Sequence, residues 1–415
     1  LKEEGTTKGK LVLGTVYGDV HDIGKNLVKT IFENNGYTVY DLGKQVPLQK
    51  FVEKIDEVKP NAVGLSALLV STSKQMQFFV EHARKTNVSI PILCGGAAIN
   101  SNYINRIAKH DGIYEPGIFY CSTMFDGLKT MDKLVSDDKD EFVQGWKEKL
   151  EKWKESSVST TDSQDLPHSG IKPVNAPTPP KINDVTRLDI KQIDLNQVWA
   201  YLNKKSLFKL SWGIKGKSNV ESIDDPDKLL EEWKKRVINE NLFEPQVVYG
   251  YFKCHNRDNK LVVDHPNGDE LVFDFPRSSK NKHLCLTDYF GEDDIVAFQS
   301  VTVGKKVAEI IEKWDKEDKY TDAYYLHGLA VETAEAIAEW LNLKIKDELG
   351  IKDKGGLRYS WGYPSCPDTG QHHLVWKLIH GEDSGMELTE SGQIIPEQST
   401  AAIVVHHPDA EYFVL

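Results

Sequence analysis

The sequence has few cysteines, no long apolar run and no surplus of basic residues. Its five cysteines among 415 residues show neither paired nor metal-like spacing, which argues against a disulfide framework and favours a reducing cytoplasm. No apolar stretch approaches the length of a transmembrane helix, and the opening residues LKEEGTTKGK contain no signal-peptide core. The formal net charge of -12 argues against nucleic acid as a partner.

The composition is that of a globular chain, with 40% apolar and 27% charged residues, long enough for two or three domains. Residues 1–136 alternate short apolar strands with helical stretches, which predicts a parallel sheet covered on both faces. Five such units favour an α/β, flavodoxin-like (Rossmann-type) strand order. The candidate strands are 11–17, 37–42, 61–67, 90–95 and 117–121.

Two further regions follow this domain. Residues 137–184 are rich in Ser, Thr, Asp and Pro behind one short charged helix, EFVQGWKEKLEKWKE, and predict a linker. The linker either lets the flanking domains move or is a plain spacer. Residues 185–415 lack βαβ alternation and predict an α+β domain with an antiparallel sheet. Its candidate helices are 221–241 and 320–348, and its candidate strands are 246–253, 260–264, 270–274, 402–406 and 411–415.

The segment Asp19-Val-His21-Asp-Ile-Gly24 follows the first strand directly. His21 thus falls in a loop at the carboxyl end of that strand, where open α/β sheets bind ligands. Asp19 is placed to hold one ring nitrogen and leave the other for a metal. A lone loop histidine is also compatible with an ordinary surface residue. However, Gly64-Leu-Ser66-Ala-Leu68 and Gly95-Gly96 follow the third and fourth strands at the same edge of the sheet.

These three elements resemble the cobalamin-binding motifs of B12-dependent methionine synthases and mutases. The resemblance implies that His21 is the lower ligand to cobalt, with Asp19 and Thr72 as a catalytic relay. Thr72 stands where the family has serine, Val70 where some relatives have threonine, and Cys121 where an alanine is common. The residues that the resemblance assigns to cobalamin are Gly18, Asp19, Val20, His21, Asp22, Gly24, Ser66, Leu68, Val70, Gly95, Gly96 and Cys121. Of these, Ser66, Leu68, Gly95 and Gly96 are expected to receive the dimethylbenzimidazole tail.

A second unusual stretch, RYSWGYPSCPD, runs from Arg358 to Asp368. Its prolines and glycine exclude a regular helix and predict an ordered loop. Arg358 is suited to pair with a carboxylate, and Gly362 lets the main chain approach a ligand closely. The alternative is a structural loop whose aromatic side chains fill the core.

The pattern R-x-x-x-G-Y-P-x-C-P is similar to the S-adenosylmethionine-binding signature of the methionine synthase activation domain. The resemblance implies that Asp194 binds the ligand's amino group and Arg358 its carboxylate, with Glu335 in the same pocket. Gly362 and Tyr363 would shape the loop. Val404 and Val405 would offer main-chain contacts. From the residues alone, Asp194 also fits a helix N-cap and Glu335 a solvated helix face.

The resemblance implies a cytoplasmic methyltransferase of methionine biosynthesis. It would carry a methyl group on methylcobalamin from methyltetrahydrofolate to homocysteine. It would also remethylate inactive Co(II) cobalamin, using S-adenosylmethionine and an electron from a flavodoxin-like protein or a flavin reductase. No cysteine trio for zinc, no folate barrel and no helical cap are visible in the sequence. The expectation is therefore a fragment, or modules on other chains, with zinc only in the homocysteine module.

Three alternatives share part of this pattern. A stand-alone corrinoid protein or reactivase would use the same chemistry for a separate methyltransferase. A cobalamin-binding sensor needs a basic helix-turn-helix segment, and none is apparent. A carbon-skeleton mutase needs a catalytic barrel, for which residues 185–415 are too short and wrongly patterned.

Overall fold

The computed structural model describes residues 7–86, 88–97, 99–153, 166–174, 176, 179, 181–214, 225–280, 282–317, 319–351 and 355–415. The chain divides into two compact units, Leu1–Thr160 and Thr161–Leu415. Within the described ranges, no helix combines the length and the apolar character that crossing a bilayer requires.

The first unit contains a five-stranded sheet in its described residues, with the order β2-β1-β3-β4-β5 and every neighbouring pair parallel. This is the predicted flavodoxin-like arrangement, so the fold class is confirmed. The strands are β1 Lys10–Thr15, β2 Thr38–Asp41, β3 Ala62–Ser66, β4 Ile92–Gly95 and β5 Ile118–Tyr120. The helices are α1 Ile23–Asn34, α2 Leu48–Val58, α3 Val70–Lys85, α4 Ser101–Lys109, α5 Met124–Leu134 and α6 Lys139–Lys152.

Both faces of this sheet are buried, because successive side chains on a strand point to opposite faces. On β1, Val12 belongs to one apolar cluster, whereas Leu11 and Leu13 belong to the other. The two clusters explain why the strands are apolar throughout instead of alternating with polar residues.

The strand ends of the first unit differ from the prediction by up to two residues, and two differences in this unit have a clear physical cause. β1 ends at Thr15 instead of residue 17, because Val16 makes only an isolated bridge to Val46 and the chain then turns. The charged helix α6, predicted within the linker, packs on the first unit, where Leu150 is buried in its core. Residues 154–165 lie outside the described part, and the linker boundaries stay a prediction.

The second unit is built on an antiparallel sheet of order β11-β14-β10-β7-β8-β9, in which β6 also pairs with β7. β12 and β13 form a separate antiparallel pair. This is the predicted α+β class, which is confirmed. The strands are β6 Val185–Leu188, β7 Gln246–Arg257, β8 Lys260–Asp264, β9 Glu270–Asp274, β10 Asp294–Thr302, β11 Leu357–Ser360, β12 Glu387–Leu388, β13 Ile394–Ile395 and β14 Ser399–Val405.

The helices of the second unit include one long element that positions the candidate site. This helix, α11, ends at Glu348, whose carboxylate accepts hydrogen bonds from the hydroxyls of Tyr249 and Tyr251 on β7. The helix is thereby tied to the sheet near its carboxyl end. The helices are α7 Leu195–Val198, α8 Lys204–Ser206, α9 Pro226–Asn239, α10 Lys305–Lys316, α11 Tyr320–Glu348 and α12 His372–Ile379.

The prediction of a strand over residues 411–415 is wrong. The carbonyl groups there accept hydrogen bonds from side chains instead of joining a ladder: Glu411 from the Tyr359 hydroxyl at 2.7 Å, and Phe413 from Ser365 at 2.6 Å. The predicted loop from residue 358 begins as strand β11, so Arg358 lies on a sheet edge. The predicted helix 221–241 is described as α9, and residues 221–224 lie outside the described part.

Candidate functional site

The first candidate centre is the loop of residues 16–22 between β1 and α1, called here the histidine loop. Asp19 lies within it, with an exposed fraction of 0%. Asp19 Oδ1 lies 3.0 Å from the main-chain N and 2.7 Å from Nδ1 of His21. Asp19 Oδ2 accepts hydrogen bonds from the main-chain N of Leu68 at 2.7 Å and from Oγ1 of Thr72 at 2.6 Å. The carboxylate therefore joins the histidine loop to the start of α3.

The electrostatics of this group keep Asp19 ionised. Burial would raise the pKa of its carboxyl, but hydrogen bonds and charge from His21, with the bond from Thr72, hold the pKa below its ordinary value. An ionised carboxylate only accepts, so Nδ1 of His21 carries the hydrogen, and in the neutral form of the ring the lone pair is on Nε2. The His21 side chain is 19% exposed. A histidine held by a carboxylate in this way is the usual form of a metal-ligating imidazole.

A second layer of contacts supports the loop, and the sequence reasoning did not identify it. The main-chain N of Gln45 donates to the carbonyl O of Asp19 at 3.0 Å. Near it, the buried Lys25 binds Asp41 Oδ1 at 2.6 Å, and the same oxygen accepts from the main-chain N of Gly43 at 2.9 Å. This ion pair, in which Lys25 is buried and Asp41 is 18% exposed, ties α1 to the turn that follows β2.

The second and third motifs meet at the same edge of the sheet. Ser66 and Gly95 are register partners at the ends of β3 and β4, and Ala67 N donates to Gly95 O at 3.1 Å. Gly96 has φ +127, and a Cβ there would lie 1.8 Å from the carbonyl O of Ala67. Only glycine fits this approach of two main chains. These four residues, 66, 67, 95 and 96, are called the tail slot.

Three predicted cobalamin residues take ordinary places in the histidine loop. Gly18 has φ +80, which favours glycine. Val20 is buried, and Asp22 is the residue before α1 without a side-chain capping bond. Gly24 lies in the first turn of α1, and a Cβ there would meet nothing within 4 Å. Glycine at 24 is therefore not required by the packing of the protein itself.

The other predicted cobalamin residues lie around the tail slot. Leu68 is 38% exposed. Val70 begins α3, and its side chain lies outside the described part. The carbonyl O of Cys121 is 3.6 Å from the position of a Cβ on Gly95. The Cys121 side chain instead packs against the apolar cluster that contains Phe32, and burial raises the pKa of its thiol to about 12.

The second candidate centre is built around Arg358 on β11. Its Nη2 donates to Glu335 at 2.7 Å, its Nε to Glu339 at 3.2 Å and its Nη1 to Ser360 Oγ at 3.2 Å. The Arg358 side chain is only 14% exposed. Burial would lower the pKa of the guanidinium, but the two carboxylates raise it. The group is therefore a fixed cation held between two anions of α11.

A cavity of about 650 Å³ lies beside this cation and is called here the Arg358 cavity. Glu335, Arg358 and Tyr363 line it, as the resemblance implies for a shared pocket. The loop after β11 is ordered by Gly362, which has φ +92 and donates its N–H to the carbonyl O of Cys366 at 2.8 Å. Tyr363 is thereby exposed at 59%.

Three predicted residues do not line this cavity with their side chains. Asp194 caps α7 by accepting a hydrogen bond from the main-chain N of Asn196 at 2.9 Å. Val404 and Val405 lie on β14 opposite Arg358 and Leu357, and both side chains are buried. Contacts from Asp194, Val404 and Val405 to a ligand stay a prediction.

The sequence reasoning missed several lining or supporting residues. Glu339 follows Glu335 by four positions, and this helical spacing was a signal that it shares the same face. Ser278, Lys280 and Tyr412 also line the cavity. No local pattern identifies these three, because they come from distant segments that only packing brings together.

Both units match known families. Residues 194–415, more than half of the chain, match the family described as “Vitamin B12 dependent methionine synthase, activation domain”. Residues 9–116 match the family described as “B12 binding domain”. The first match covers the region in which a mutase would carry its barrel and a sensor its DNA-binding module.

Similar full-length proteins include two mycobacterial enzymes. The methionine synthases of Mycobacterium tuberculosis (strain ATCC 25618 / H37Rv) and Mycobacterium leprae (strain TN) are each 30% identical to this chain, over 477 and 475 residues. The matches cover 99% of this chain and 39% of each relative, so the chain spans about two fifths of their length.

One solved structure resembles the second part of the chain. A crystal structure of the MetH reactivation domain bound to AdoHcy matches with a TM-score of 0.50 and 19% identity. The match covers 58% of this chain and 83% of that one. At this identity the match shows a shared fold.

Proposed function

This chain belongs to the vitamin B12 dependent methionine synthase family, and we propose that it is the part of such an enzyme that holds cobalamin and restores it with S-adenosylmethionine. The observation that carries the proposal is the hydrogen-bonded group of His21, Asp19 and Thr72. Its residues fit the cofactor through an oriented imidazole, and the glycines of the tail slot add no side chain at the same sheet edge, where Gly96 approaches the main chain of Ala67 closely.

In this proposal His21 Nε2 would hold the cobalt of cobalamin. When bound, cobalamin supplies a cobalt centre that exchanges methyl groups between a donor and an acceptor. Asp19 holds the imidazole through Nδ1, and Thr72 and the main-chain N of Leu68 hold the other carboxylate oxygen. A proton taken up at Nε2 would end ligation, and Asp19 would then stabilise the imidazolium through the same Nδ1 contact.

Other residues at the sheet edge would hold the cofactor. Ser66, Leu68, Gly95 and Gly96 are proposed to receive its nucleotide tail. Gly18, Val20, Asp22, Gly24, Val70 and Cys121 are proposed to surround it. For Cys121 we propose a main-chain contact, because its side chain packs against the apolar cluster that contains Phe32.

The Arg358 cavity is proposed to bind the methyl donor, S-adenosylmethionine. Three of the five N–H groups of a guanidinium are used by Glu335, Glu339 and Ser360. The remaining two are suited to the ligand's carboxylate. Glu335 acts by positioning Arg358, and Gly362 and Tyr363 shape the wall beside it. Asp194 is proposed to bind the amino group, and Val404 and Val405 to contribute main-chain contacts.

The cellular setting is part of the same proposal. We infer a cytoplasmic enzyme of methionine biosynthesis that uses methyltetrahydrofolate and homocysteine and receives electrons from a flavodoxin-like protein or a flavin reductase. All five cysteines are unpaired, which suits a reducing compartment. Addition of candidate flavodoxins as the electron source, with methyl transfer from S-adenosylmethionine to bound cobalamin as the readout, tests the electron donor.

The visible spectrum of bound methylcobalamin tests the ligand assignment. The wild-type chain is expected to give a spectrum of histidine-ligated cobalamin, and His21→Gly is expected to lose it. Added imidazole should then restore the spectrum in His21→Gly. His110→Ala is the matched control, because this histidine is 48% exposed and lies at the end of α4. An unchanged spectrum in His21→Gly contradicts the proposal.

Transfer of a tritiated methyl group from S-adenosylmethionine to bound cobalamin under reducing conditions tests the second centre. Arg358→Ala is expected to reduce labelling at least tenfold, because it removes the donor for the ligand's carboxylate. Lys204→Ala, in an exposed ion pair of the same unit, should label as well as the wild type. Equal labelling of Arg358→Ala and the wild type would remove Arg358 from the site.

A further inference from the structure

The Arg358 cavity combines a charged group with an aromatic one. Beside Arg358 and Glu335, its lining includes Tyr363 and Tyr412. These two tyrosines are 59% and 67% exposed, the highest values among the large apolar and aromatic side chains of the described residues. A single exposed tyrosine is ordinary on a protein surface. Two of them lining the cavity beside a largely buried arginine call for a more specific explanation.

Tyr412 is held in place despite its exposure. Its hydroxyl donates to the carbonyl O of Arg358 at 3.2 Å. Its ring packs against Tyr359 with a centroid distance of 5.3 Å and an interplanar angle of 65°. The Tyr412 hydroxyl and the side of its ring that contacts Tyr359 are therefore fixed, while much of the ring remains accessible from the cavity.

The main chain on both sides of Tyr412 is also anchored. The Tyr359 hydroxyl donates to Glu411 O at 2.7 Å, and Ser365 Oγ donates to Phe413 O at 2.6 Å. Farther along, Ser278 Oγ donates to Val414 O at 2.6 Å. These bonds replace the ladder of a strand and keep the segment as a wall of the cavity. The ring is thus pre-positioned, which lowers the entropic penalty of binding a ligand against it.

An accessible, immobilised aromatic ring is a good surface for a flat heterocycle. Purine bases stack on tyrosine faces through dispersion and their complementary charge distributions, without any requirement for hydrogen-bonding groups. The charged part of the same cavity is suited to an amino-acid group, through Arg358. The lining therefore offers one surface for each half of a molecule that joins a purine nucleoside to an amino acid.

We propose that Tyr412, together with Tyr363, stacks on the purine ring of the ligand in the Arg358 cavity. This inference rests on the proposed function and adds a residue that recognises the base. Tyr412 then acts on the nucleoside half of S-adenosylmethionine, whereas Arg358 and Glu335 act on its amino-acid half.

Competition binding to the whole chain tests this division. Labelled S-adenosylmethionine is displaced by unlabelled S-adenosylmethionine, adenosine or methionine, and the dissociation constants are compared. Tyr412→Ala should weaken both adenosine-containing ligands by the same factor, roughly tenfold, and leave methionine unchanged. Tyr412→Phe keeps the ring and should bind all three within about twofold of the wild type. Tyr201→Ala, 43% exposed in a turn of the same unit, is the matched control.

The outcomes separate this inference from the proposed function. If the wild type binds S-adenosylmethionine and Tyr412→Ala binds adenosine equally well, the stacking role is overturned while the proposed function stands. If Tyr412→Ala weakens methionine as much as adenosine, the residue supports the cavity as a whole and the stacking role is again overturned. If the wild type binds none of the three, the proposed function itself fails. Thermal unfolding of each variant shows whether the fold is retained, and Tyr412→Phe tests the ring in an almost unchanged protein.

Discussion

The histidine loop and the Arg358 cavity each hold a charged side chain away from water, and the two charges are of opposite sign. In the first unit a fully buried anion, Asp19, is stabilised by four hydrogen-bond donors. In the second unit a largely buried cation, Arg358, is stabilised by two carboxylates and a hydroxyl. Asp19 accepts hydrogen bonds from neutral donors and from the His21 imidazole. The carboxylate thereby orients a ring that can gain or lose a proton. Arg358 is always charged, so its partners only fix its position.

The two centres also differ in how the chain assembles them. The histidine loop and the tail slot come from short segments at the carboxyl edge of one parallel sheet. The Arg358 cavity is lined by a helix, a strand, a loop and the segment 411–414. A site at a sheet edge is specified by local motifs, whereas the cavity depends on packing between distant segments. We therefore expect a substitution in the first centre to affect stability locally. A substitution in the second centre should affect several of the elements that line it.

The largest effect is expected from Gly96→Ala in the tail slot. The added Cβ would lie 1.8 Å from Ala67 O on a backbone with φ +127, so the first unit should lose about 3 kcal/mol or more of unfolding free energy. Gly24→Ala is the matched control, because its Cβ would meet nothing within 4 Å and alanine favours a helix. Hydrogen exchange of peptides from the first unit, without cofactor, measures both. Equal protection in the two variants would contradict the close approach of the main chains at Gly96 and Ala67.

Asp19→Asn is expected to cost the first unit about 2 kcal/mol near neutral pH, because an amide nitrogen would face the donors that now bind a carboxylate oxygen. The folded pKa of Asp19 lies below its ordinary value of 3.8, so its stabilising contribution is present above that pH and is lost as the pH falls below it. The difference between wild type and variant should therefore shrink below about pH 4.

Urea unfolding at several pH values measures the Asp19 effect. Asp138→Asn is the control, because the Asp138 side chain is 63% exposed. A difference between wild type and Asp19→Asn that stays constant down to pH 2 would show that the carboxylate charge is not the stabilising feature.

Arg358→Ala should destabilise the second unit by about 1–2 kcal/mol. This is less than the effect of Asp19→Asn on the first unit, because the carboxylates of Glu335 and Glu339 remain partly hydrated when the guanidinium is removed. Glu335 and Glu339 are 34% and 40% exposed. A double-mutant cycle with Glu335→Gln should give a coupling energy of about 1 kcal/mol. The exposed pair Lys204–Asp227 supplies the reference cycle, with an expected coupling below about 0.5 kcal/mol. Equal couplings in both cycles would remove the distinction between a held cation and a surface pair.

The smallest effect is expected from Thr72→Ala, about 1 kcal/mol of stability in the first unit, because one hydrogen bond to Asp19 is lost. Thr72→Ser keeps the hydroxyl and should retain most of the wild-type stability. The spectrum of bound methylcobalamin is recorded as the pH is lowered. The pH at which the spectrum changes should shift in Thr72→Ala and match the wild type in Thr72→Ser. A shift of the same size in both variants would place the effect in the threonine methyl group instead of the relay.

Much of the first unit follows from local chemistry that a sequence displays. Short apolar runs alternating with helical spacing predict the parallel sheet, and the order of the motifs places His21, Ser66 and Gly95 at one edge. The carboxyl ends of parallel strands lie at the same edge of the sheet, so residues that follow different strands are close in space although they are distant in the chain. The contact between Thr72 and Asp19 agrees with the relay that the resemblance implies, and its catalytic role stays a prediction.

The sequence by itself therefore determined the two fold classes, and its motifs directed attention to His21 and Arg358, whose roles in a site stay predictions. Only the tertiary structure decided that residues 411–414 form a cavity wall instead of a strand, that Glu339 shares Arg358 with Glu335, and that Lys25 is buried against Asp41. The physical reason is that periodicity and motifs report on residues close along the chain or aligned by a regular sheet. The carbonyl groups of residues 411, 413 and 414 accept hydrogen bonds from the side chains of Tyr359, Ser365 and Ser278, respectively. No local pattern encodes which distant hydroxyl will donate to a given main-chain carbonyl group.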